Sequence, residues 1–444
     1  MKKVLFLIVG FLIIITVGFG QQTKHVILIS IDGFRPEFYL DAAWPAANLQ
    51  QLKTTGVYAQ KVKSVFPSFT YPSHVAMLTG ALPARSGIYY NAPFEPEGPT
   101  GQWNWFLKDI KVPTLWSCIK AAGLTSAAVE WPVSVGEDIT WNIPEIWDPK
   151  HPGDRITETR KYATKGLIEE IEINATGKLD GENMNEEYLS LDENAGRMAA
   201  YIFKTYRPNL LAVHFACVDG AQHEQGREGE KVKLAIAASD RAIGNIMEAV
   251  EKAKLKDSTT IIITGDHGFM NMQQVIRPNI WLKQVQLLGE GKNWKVKFQP
   301  AGGSAFLYVQ NQKDKETISK VKQVLNQLPA GIQKYFTVYD RKKLDAMGAD
   351  SNAILALAAK PGIVFSGSTE GELLSFLNGG GHHGYDPDMA EMYTGFIGYG
   401  AGFNKGTSIS LMSVKDMAPI IAKLLGLRFE TRDGVLYPGL VSGN

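Results

Sequence analysis

Short apolar runs alternate with amphipathic stretches along most of this chain. Residues 25 to 31 (HVILISI) form an uninterrupted apolar run that stops at Asp32-Gly33, the pattern of a strand buried on both faces. Residues 210 to 217 (LLAVHFAC) repeat it ahead of Asp219, and residues 259 to 264 (TTIIIT) repeat it ahead of Gly265-Asp266-His267-Gly268. Between these runs apolar positions recur at helical spacing: from about 45 to 55, closed by Gly56, then 114 to 122, 194 to 206 and a long stretch from 229 to 254. Residues 57 to 65 and 125 to 131 read as further strands. Ser413 and Asp416 have the spacing of a capping box for a helix that reaches Leu425 and stops at Gly426. Strands alternating with helices predict an α/β fold with a mostly parallel central sheet flanked by helices. Ligands of such sheets bind beyond the carboxyl ends of the strands. Asp32, Asp219 and Asp266 all lie just past such ends, so they are expected to converge on one edge despite their distance in sequence.

Two stretches break the alternation. Residues 132 to 193 are rich in Trp, Pro, Asp, Glu and Asn, and residues 270 to 380 carry their own strand and helix patterns at 305–309 and 313–327. Both read as insertions capping the active edge of one catalytic domain over residues 21–444. Trp103, Trp105, Trp131 and Trp141 cluster before and within the first insertion and read mainly as packing that holds it to the core. The first 20 residues differ from the rest: Met1-Lys2-Lys3, an apolar stretch from Val4 to about Phe19, then Gly20 and a polar run. This is the layout of a secretory signal peptide over residues 1–20. The alternative is an uncleaved anchor, for which the stretch is short. On either reading the remainder is exported, periplasmic or secreted, and no later segment looks like a membrane span; once the signal is removed no stable span is expected.

Charge adds little. Lys and Arg number 46 against 45 Asp and Glu, a net +1, so no field draws the chain to a nucleic-acid polymer. Cys118 and Cys217 are the only cysteines. They build no disulfide framework and read as two buried thiols, Cys217 inside the apolar strand 210–217.

The candidate chemistry sits at the ends of the apolar runs. Aspartate and histidine together suit zinc or a similar borderline ion, whereas carboxylates alone would point to magnesium or calcium. Asp266 and His267 are adjacent, Asp219 and His223 are four apart, and His382 and His383 lie in the glycine-rich run 379 to 384 (GGGHHG), where backbone freedom permits close approach to an ion. Thr70 lies in residues 66 to 74 (FPSFTYPSH), stiffened by Pro67 and Pro72, just before a helix expected from 73 to 79. Anions are favoured at such a helix start. A threonine hydroxyl is a poor nucleophile until a metal ion lowers its pKa. Each fragment alone is what an ordinary turn or cap looks like; the ordered set supplies ligands for two ions and a nucleophile between them.

The set resembles the alkaline phosphatase superfamily, most closely its nucleotide pyrophosphatase/phosphodiesterase branch, from about residue 25 to the C-terminus. Residues 28 to 35 (LISIDGFR) resemble the first ligand strand, 70 to 74 (TYPSH) the nucleophile loop, and 264 to 268 (TGDHG) and 383 to 386 (HGYD) the later ligand motifs. The resemblance implies two zinc ions, one held by Asp32, Thr70, Asp266 and His267, the other by Asp219, His223 and His383. It implies Thr70 as the nucleophile of a phosphothreonine intermediate, and Asn91 as the amide that donates to a non-bridging phosphoryl oxygen. Sulfatases of the superfamily carry a modified cysteine or serine in this loop, and threonine argues against that chemistry. Two departures stand out. Residues 219 to 223 read DGAQH, with Gln222 where the family motif commonly has glycine, and His214 stands where nucleotide-cleaving members tend to have a base-stacking tyrosine. Tyr71, next to the nucleophile, still offers a ring, so Tyr71, Asn91 and His214 are the substrate-binding candidates. Monoesterases of the threonine type carry a Lys-x-Arg pair after the fourth strand, and residues 130 to 139 (EWPVSVGEDI) hold neither Lys nor Arg. That favours a small phosphodiester or nucleotide substrate. A phosphomonoesterase or phosphonate hydrolase on the same scaffold is the alternative, and an inactive secreted binding protein a remote one.

Overall fold

The computed structural model describes residues 23–289 and 291–442; the signal-peptide stretch 1–20 lies outside the described residues. The predicted runs form a central sheet. Its strands are β1 (His25–Ile31), β2 (Val57–Lys63), β3 (Ser126–Val129), β4 (Trp141–Ile143), β5 (Leu210–Phe215), β6 (Thr259–Thr264) and β7 (Thr394–Gly400), with short β8 (Ser408–Ile409) and β9 (Met412–Ser413) at one margin. Spatial order is β8-β2-β7-β6-β1-β5-β3-β4, and β9 also pairs with β2. The pairs among β6, β1, β5, β3 and β4 are parallel, and β7 runs antiparallel between β6 and β2. Every residue of β1, β5 and β6 is buried, which explains why these three strands read as continuous apolar runs rather than alternating ones.

Helices cover both faces. Ile27, Ile29 and Ile31 of β1 pack with α1 (Ala47–Thr55), α4 (Ser190–Tyr206) and α6 (Glu230–Lys252). Val26 and Leu28, on the opposite face by the period-2 rule, pack with α2 (Thr70–Thr79), α3 (Leu115–Ala121) and α7 (Met417–Leu424). The capping box at Ser413 and Asp416 is present and leads into α7. Three local expectations shift. The second strand ends at Lys63, α2 begins at Thr70 itself rather than at Ser73, and Cys217 starts helix α5 (Cys217–Gln225) instead of closing the strand. Cys217 is buried, whereas Cys118 is half-buried; both thiols are free.

The first interruption is mostly irregular, with short helices, and its aromatic residues pack: Trp131 and Trp105 are buried, Trp141 stacks on Tyr206 at 4.6 Å, and Trp103 meets Tyr71 edge-on at 5.2 Å. The second interruption folds into two small sheets, of four and three strands, around a hydrophobic cluster of its own. Among the described residues no helix is long and apolar enough to cross a membrane.

Candidate metal centre and nucleophile

Strand register brings the acidic residues to one edge. Ile31 lies opposite Phe215, and Ser30 opposite both His214 and Thr264. Asp32 therefore leaves the sheet level with Asp219, on the first turn of α5, and with Asp266, two residues past β6. Asp32 Oδ1 and Asp266 Oδ2 each lie 3.2 Å from His267 Nε2. Asp219 Oδ2 lies 3.1 Å from His223 Nε2, while its Oδ1 is 3.8 Å from His383 Nε2 and 4.0 Å from His267 Nε2. The His267 and His383 rings stack at 3.8 Å and join the groups into one cluster. Three sets of possible ligand atoms lie within 4.8 Å of one another: Asp32/Asp266/His267, Asp219/His267/His383 and His223/His382/His383.

The back of the cluster is fastened to the backbone. His267 Nδ1 sits 3.0 Å from the Gly268 carbonyl, His223 Nδ1 3.0 Å from the Gly381 carbonyl and His383 Nδ1 2.9 Å from the Ser68 carbonyl. With each Nδ1–H donated outward, Nε2 is the bare nitrogen aimed inward, the arrangement of metal-binding imidazoles. The carboxylates are treated likewise. Asp266 Oδ1 accepts from the Gly33 and His267 amides at 3.1 and 2.9 Å, and Asp32 Oδ2 faces His214 Nε2 at 3.2 Å. What remains is a set of buried atoms with no hydrogen-bond partner among the described residues: Asp32 Oδ1, Asp219 Oδ1, Asp266 Oδ2 and His267 Nε2. Orphaned buried donors and acceptors are costly, and four that point at one another fit cations of the N/O-ligand type. Burial, together with the Asp266 and Asp219 carboxylates, pushes Asp32 well above its ordinary pKa. Burial opposes charge at Asp219 and His223 too, yet their mutual attraction overrides it: Asp219 falls below the carboxylate range and His223 rises to about 9.

Thr70 is the first residue of α2, after extended Phe69, and is 7% exposed. Its carbonyl engages His74 Nδ1 at 2.8 Å, which also lies 3.9 Å from Asp266 Oδ2. The Tyr71 amide, one of the open N–H groups of the helix start, donates to Asn91 Oδ1 at 3.0 Å. That bond orients the Asn91 amide, leaving its NH₂ as the donor. Gln222, in the family's glycine position, is fully buried and donates through Nε2 to the Gly33 carbonyl at 3.0 Å. It thereby ties the helix bearing Asp219 and His223 to the turn after Asp32.

Two substrate-binding candidates sit differently from the expectation. Tyr71 is 0% exposed, its ring packed against Trp103 of the segment before the insertion and its hydroxyl facing Glu145, so no ring face is open beside the nucleophile. His214 is 3% exposed and spans from the Glu130 carbonyl to Asp32, behind the centre rather than over a base. Residues with no sequence signal also contribute. Ser68 holds His383 through its carbonyl and accepts from the Gly384 amide through Oγ, and Ser64 Oγ donates to the Asp266 carbonyl at 2.6 Å. Their placement depends on loop paths that short strings do not encode.

An aspartate–histidine centre at the carboxyl edge of a mostly parallel sheet, beside a helix-starting threonine, is an arrangement suited to metal-assisted hydrolysis. Comparison with known proteins narrows the class. A family model for "Type I phosphodiesterase / nucleotide pyrophosphatase" matches residues 26–386. The human ectonucleotide pyrophosphatase/phosphodiesterase family member 1 is 24% identical over 431 residues, 94% of this chain, which spans 41% of that protein's length. A bis(5'-adenosyl)-triphosphatase of Xenopus laevis is 24% identical over 97% of this chain and 85% of its own. Among solved structures, human ectonucleotide pyrophosphatase / phosphodiesterase 5 superposes with a TM-score of 0.69 at 21% identity, over 95% of this chain and all of the other. A murine counterpart, an inactive threonine-to-alanine variant in complex with AMP, gives 0.68 at 21% identity, over 93% of this chain and 97% of its own. At these identities the structures establish the fold, with its mostly parallel sheet flanked by helices. The chain belongs to the type I phosphodiesterase / nucleotide pyrophosphatase family and is an enzyme of that metal-dependent hydrolase class.

Proposed function

We propose that the chain hydrolyses small phosphodiesters, including the pyrophosphate linkage of nucleotides, through a phosphothreonine intermediate on Thr70. One divalent ion, read as zinc, is held by Asp32, Thr70, Asp266 and His267, and a second by Asp219, His223 and His383. The observation that carries this reading is the convergence of four orphaned ligand atoms with three imidazoles whose Nδ1 atoms are all turned outward to carbonyls. Ions bound there would make the Thr70 hydroxyl nucleophilic near neutral pH and offset charge on the attacking and departing oxygens.

The chain's own groups do the rest. Thr70, fixed at the first turn of α2, loses its hydroxyl proton to solvent and attacks phosphorus in line, while the P–O bond to the departing alcohol breaks and that alcohol leaves with a proton from solvent. The Asn91 NH₂, oriented by the Tyr71 amide, donates to a non-bridging oxygen as charge builds there. Water then attacks the phosphothreonine and regenerates the hydroxyl. Two in-line displacements give net retention at phosphorus. Diesters are favoured over monoesters because residues 130 to 139 supply no cation. Lys161 is drawn off by Glu158 at 3.1 Å on the surface, and Arg155 is matched to Glu186. The small nucleotide in the murine relative's complex is in keeping with a ligand of this kind. Export to the periplasm or beyond rests on the pattern of residues 1–20 alone.

The experiment is metal analysis with initial rates on a bis-ester and a monoester of one chromogenic phenol. Two equivalents of zinc and a strong bis-ester preference are expected. A strong monoester preference would move the assignment to phosphomonoesterase, and a metal-free, inactive protein would move it to a binding role.

A further inference from the structure

Next to Asp32, across His214, lies a small cavity with more carboxyl groups than phosphoryl transfer requires. Glu130, Glu145, Glu186, Arg155, Trp147 and His214 border it. Three carboxyls face one guanidinium, Arg155, which lies 3.9 Å from the Trp147 ring centroid and 4.0 Å from Glu186, its Nε without a hydrogen-bond partner among the described residues. Glu130 is 7% exposed, and its Oε1, like Glu145 Oε2, has no hydrogen-bond partner among the described residues. Buried carboxylates that outnumber their counter-charges and lack donors are costly. Burial accordingly pushes Glu130 well above the carboxylate range and lifts Glu145 to about 8 despite Arg155; Glu186, at the rim, keeps 47% of its side chain exposed. A guest that brings positive charge and several N–H donors would satisfy all of these groups at once.

Size and position narrow the guest. The free volume is about 20 Å³, room for one water-sized group. A primary ammonium has that size and three donors; a trimethylammonium is larger and has none. The cavity borders the reacting centre on the nucleophile's side. His214 reaches from it to Asp32 at 3.2 Å, and Glu145 faces the hydroxyl of Tyr71, the residue after Thr70. In an in-line displacement the departing group leaves opposite the nucleophile, so a cavity that meets the centre through Asp32 and Tyr71, on the nucleophile's flank, suits the alcohol that stays on phosphorus. Glu186 also borders the open groove beside His223, so the cavity and the groove share this side chain as a wall.

We propose that this cavity is the subsite for a primary ammonium group on the retained alcohol, so that the favoured substrates are phosphodiesters of short amino alcohols such as 2-aminoethanol. This rests on the phosphodiesterase reading and narrows its substrate class. The test compares kcat/KM of the zinc-loaded enzyme for 4-nitrophenyl diesters whose second alcohol is 2-aminoethanol, ethylene glycol or choline. A preference of tenfold or more for the aminoethyl over the hydroxyethyl ester is expected, with the choline ester no better than the hydroxyethyl one. Glu130→Gln, and separately Glu186→Gln, should shrink that preference several-fold, a ratio measured within each variant and so independent of how much folded enzyme it yields. Aminoethyl and hydroxyethyl esters turned over equally would overturn the subsite while leaving the phosphodiesterase reading intact, the cavity then holding only water. A choline ester that matches the aminoethyl one would overturn it as well. Turnover of none of the three would sink the phosphodiesterase reading itself. A soluble glycerol diester of 2-aminoethyl phosphate, run beside the same headgroup in lipid vesicles, separates the two natural sources of this chemistry; turnover of either supports the subsite.

Discussion

The two halves of the proposed metal centre are built from the same residue types but are anchored in different parts of the molecule. Asp32, Asp266 and His267 stand on strand ends, their side chains 6%, 0% and 0% exposed. Asp219, His223 and His383 stand on a short helix and a glycine-rich loop, and the His223 side chain is 36% exposed. The first half is continuous with the core, held by the Gly33 amide and by Ser64 under the Asp266 carbonyl. The second faces an open groove. One set of ligands can therefore serve the fold as well as the chemistry, while the other is free to serve the substrate.

The largest expected effect tests what lies between the halves. Thr70→Ala should lower turnover by on the order of 10³-fold or more while metal content and Tm stay close to wild type, because the change removes only a hydroxyl and a methyl group. Normal turnover would mean that water attacks directly. Next, Asp266→Asn and His223→Ala should separate the halves. Removing the buried anion should cost both metal and stability, by about 3 kcal/mol or more. The histidine variant should lose one equivalent of metal and most activity with a much smaller change in Tm. Equal losses of Tm would erase the distinction. Staged chelation gives the same contrast without mutation: the metal beside His223 should leave first, abolishing activity before the melting curve moves.

The central sheet and the position of the acidic residues were legible because parallel strands buried on both faces leave long apolar runs, and all of them end at the same edge. Asp32, Asp219 and Asp266 advertise that edge by following such runs. Thr70 was legible through its loop, although the helix starts three residues earlier than the prolines suggested; Pro72 is tolerated because it falls within the first turn. The burial of Tyr71 was hidden. Whether a ring beside the nucleophile is open depends on Trp103, which arrives from a segment with no periodicity. His214 reads as one more residue of an apolar strand until its register opposite Ser30 sets it beside Asp32. Glu145 and Glu186 were hidden for the same reason as Tyr71, since irregular insertions leave no spacing rule to follow.

Gln222 connects the halves, and removing it should sharpen the contrast. Its amide bond to the Gly33 carbonyl is buried. Gln222→Ala strands that carbonyl and leaves a gap, an effect of about 1–3 kcal/mol on stability. If the exposed half depends on this strut for its position, the variant should bind its second metal equivalent several-fold more weakly while the first stays tight. Unchanged affinity at both sites would show that α5 is held by its other contacts alone.

The smallest effect concerns the acidic cavity. Burial first, and then Glu186, hold Glu145 at about 8 against the pull of Arg155. The folded protein therefore keeps a proton that the unfolded chain releases near the ordinary glutamate value of about 4.3. Protons bound in excess by the folded state mean that stability is full below that value and declines as pH rises toward 8. Glu145→Gln has no such group to ionise. Its Tm advantage over the wild type should be small near pH 4, grow by a few degrees between pH 5 and 8, and level off above. If 2-aminoethyl phosphate occupies the cavity, its ammonium supplies the missing counter-charge, and the wild-type curve should then flatten toward that of the variant. An advantage that is constant across this range would place the Glu145 carboxyl in water, outside any closed acidic pocket.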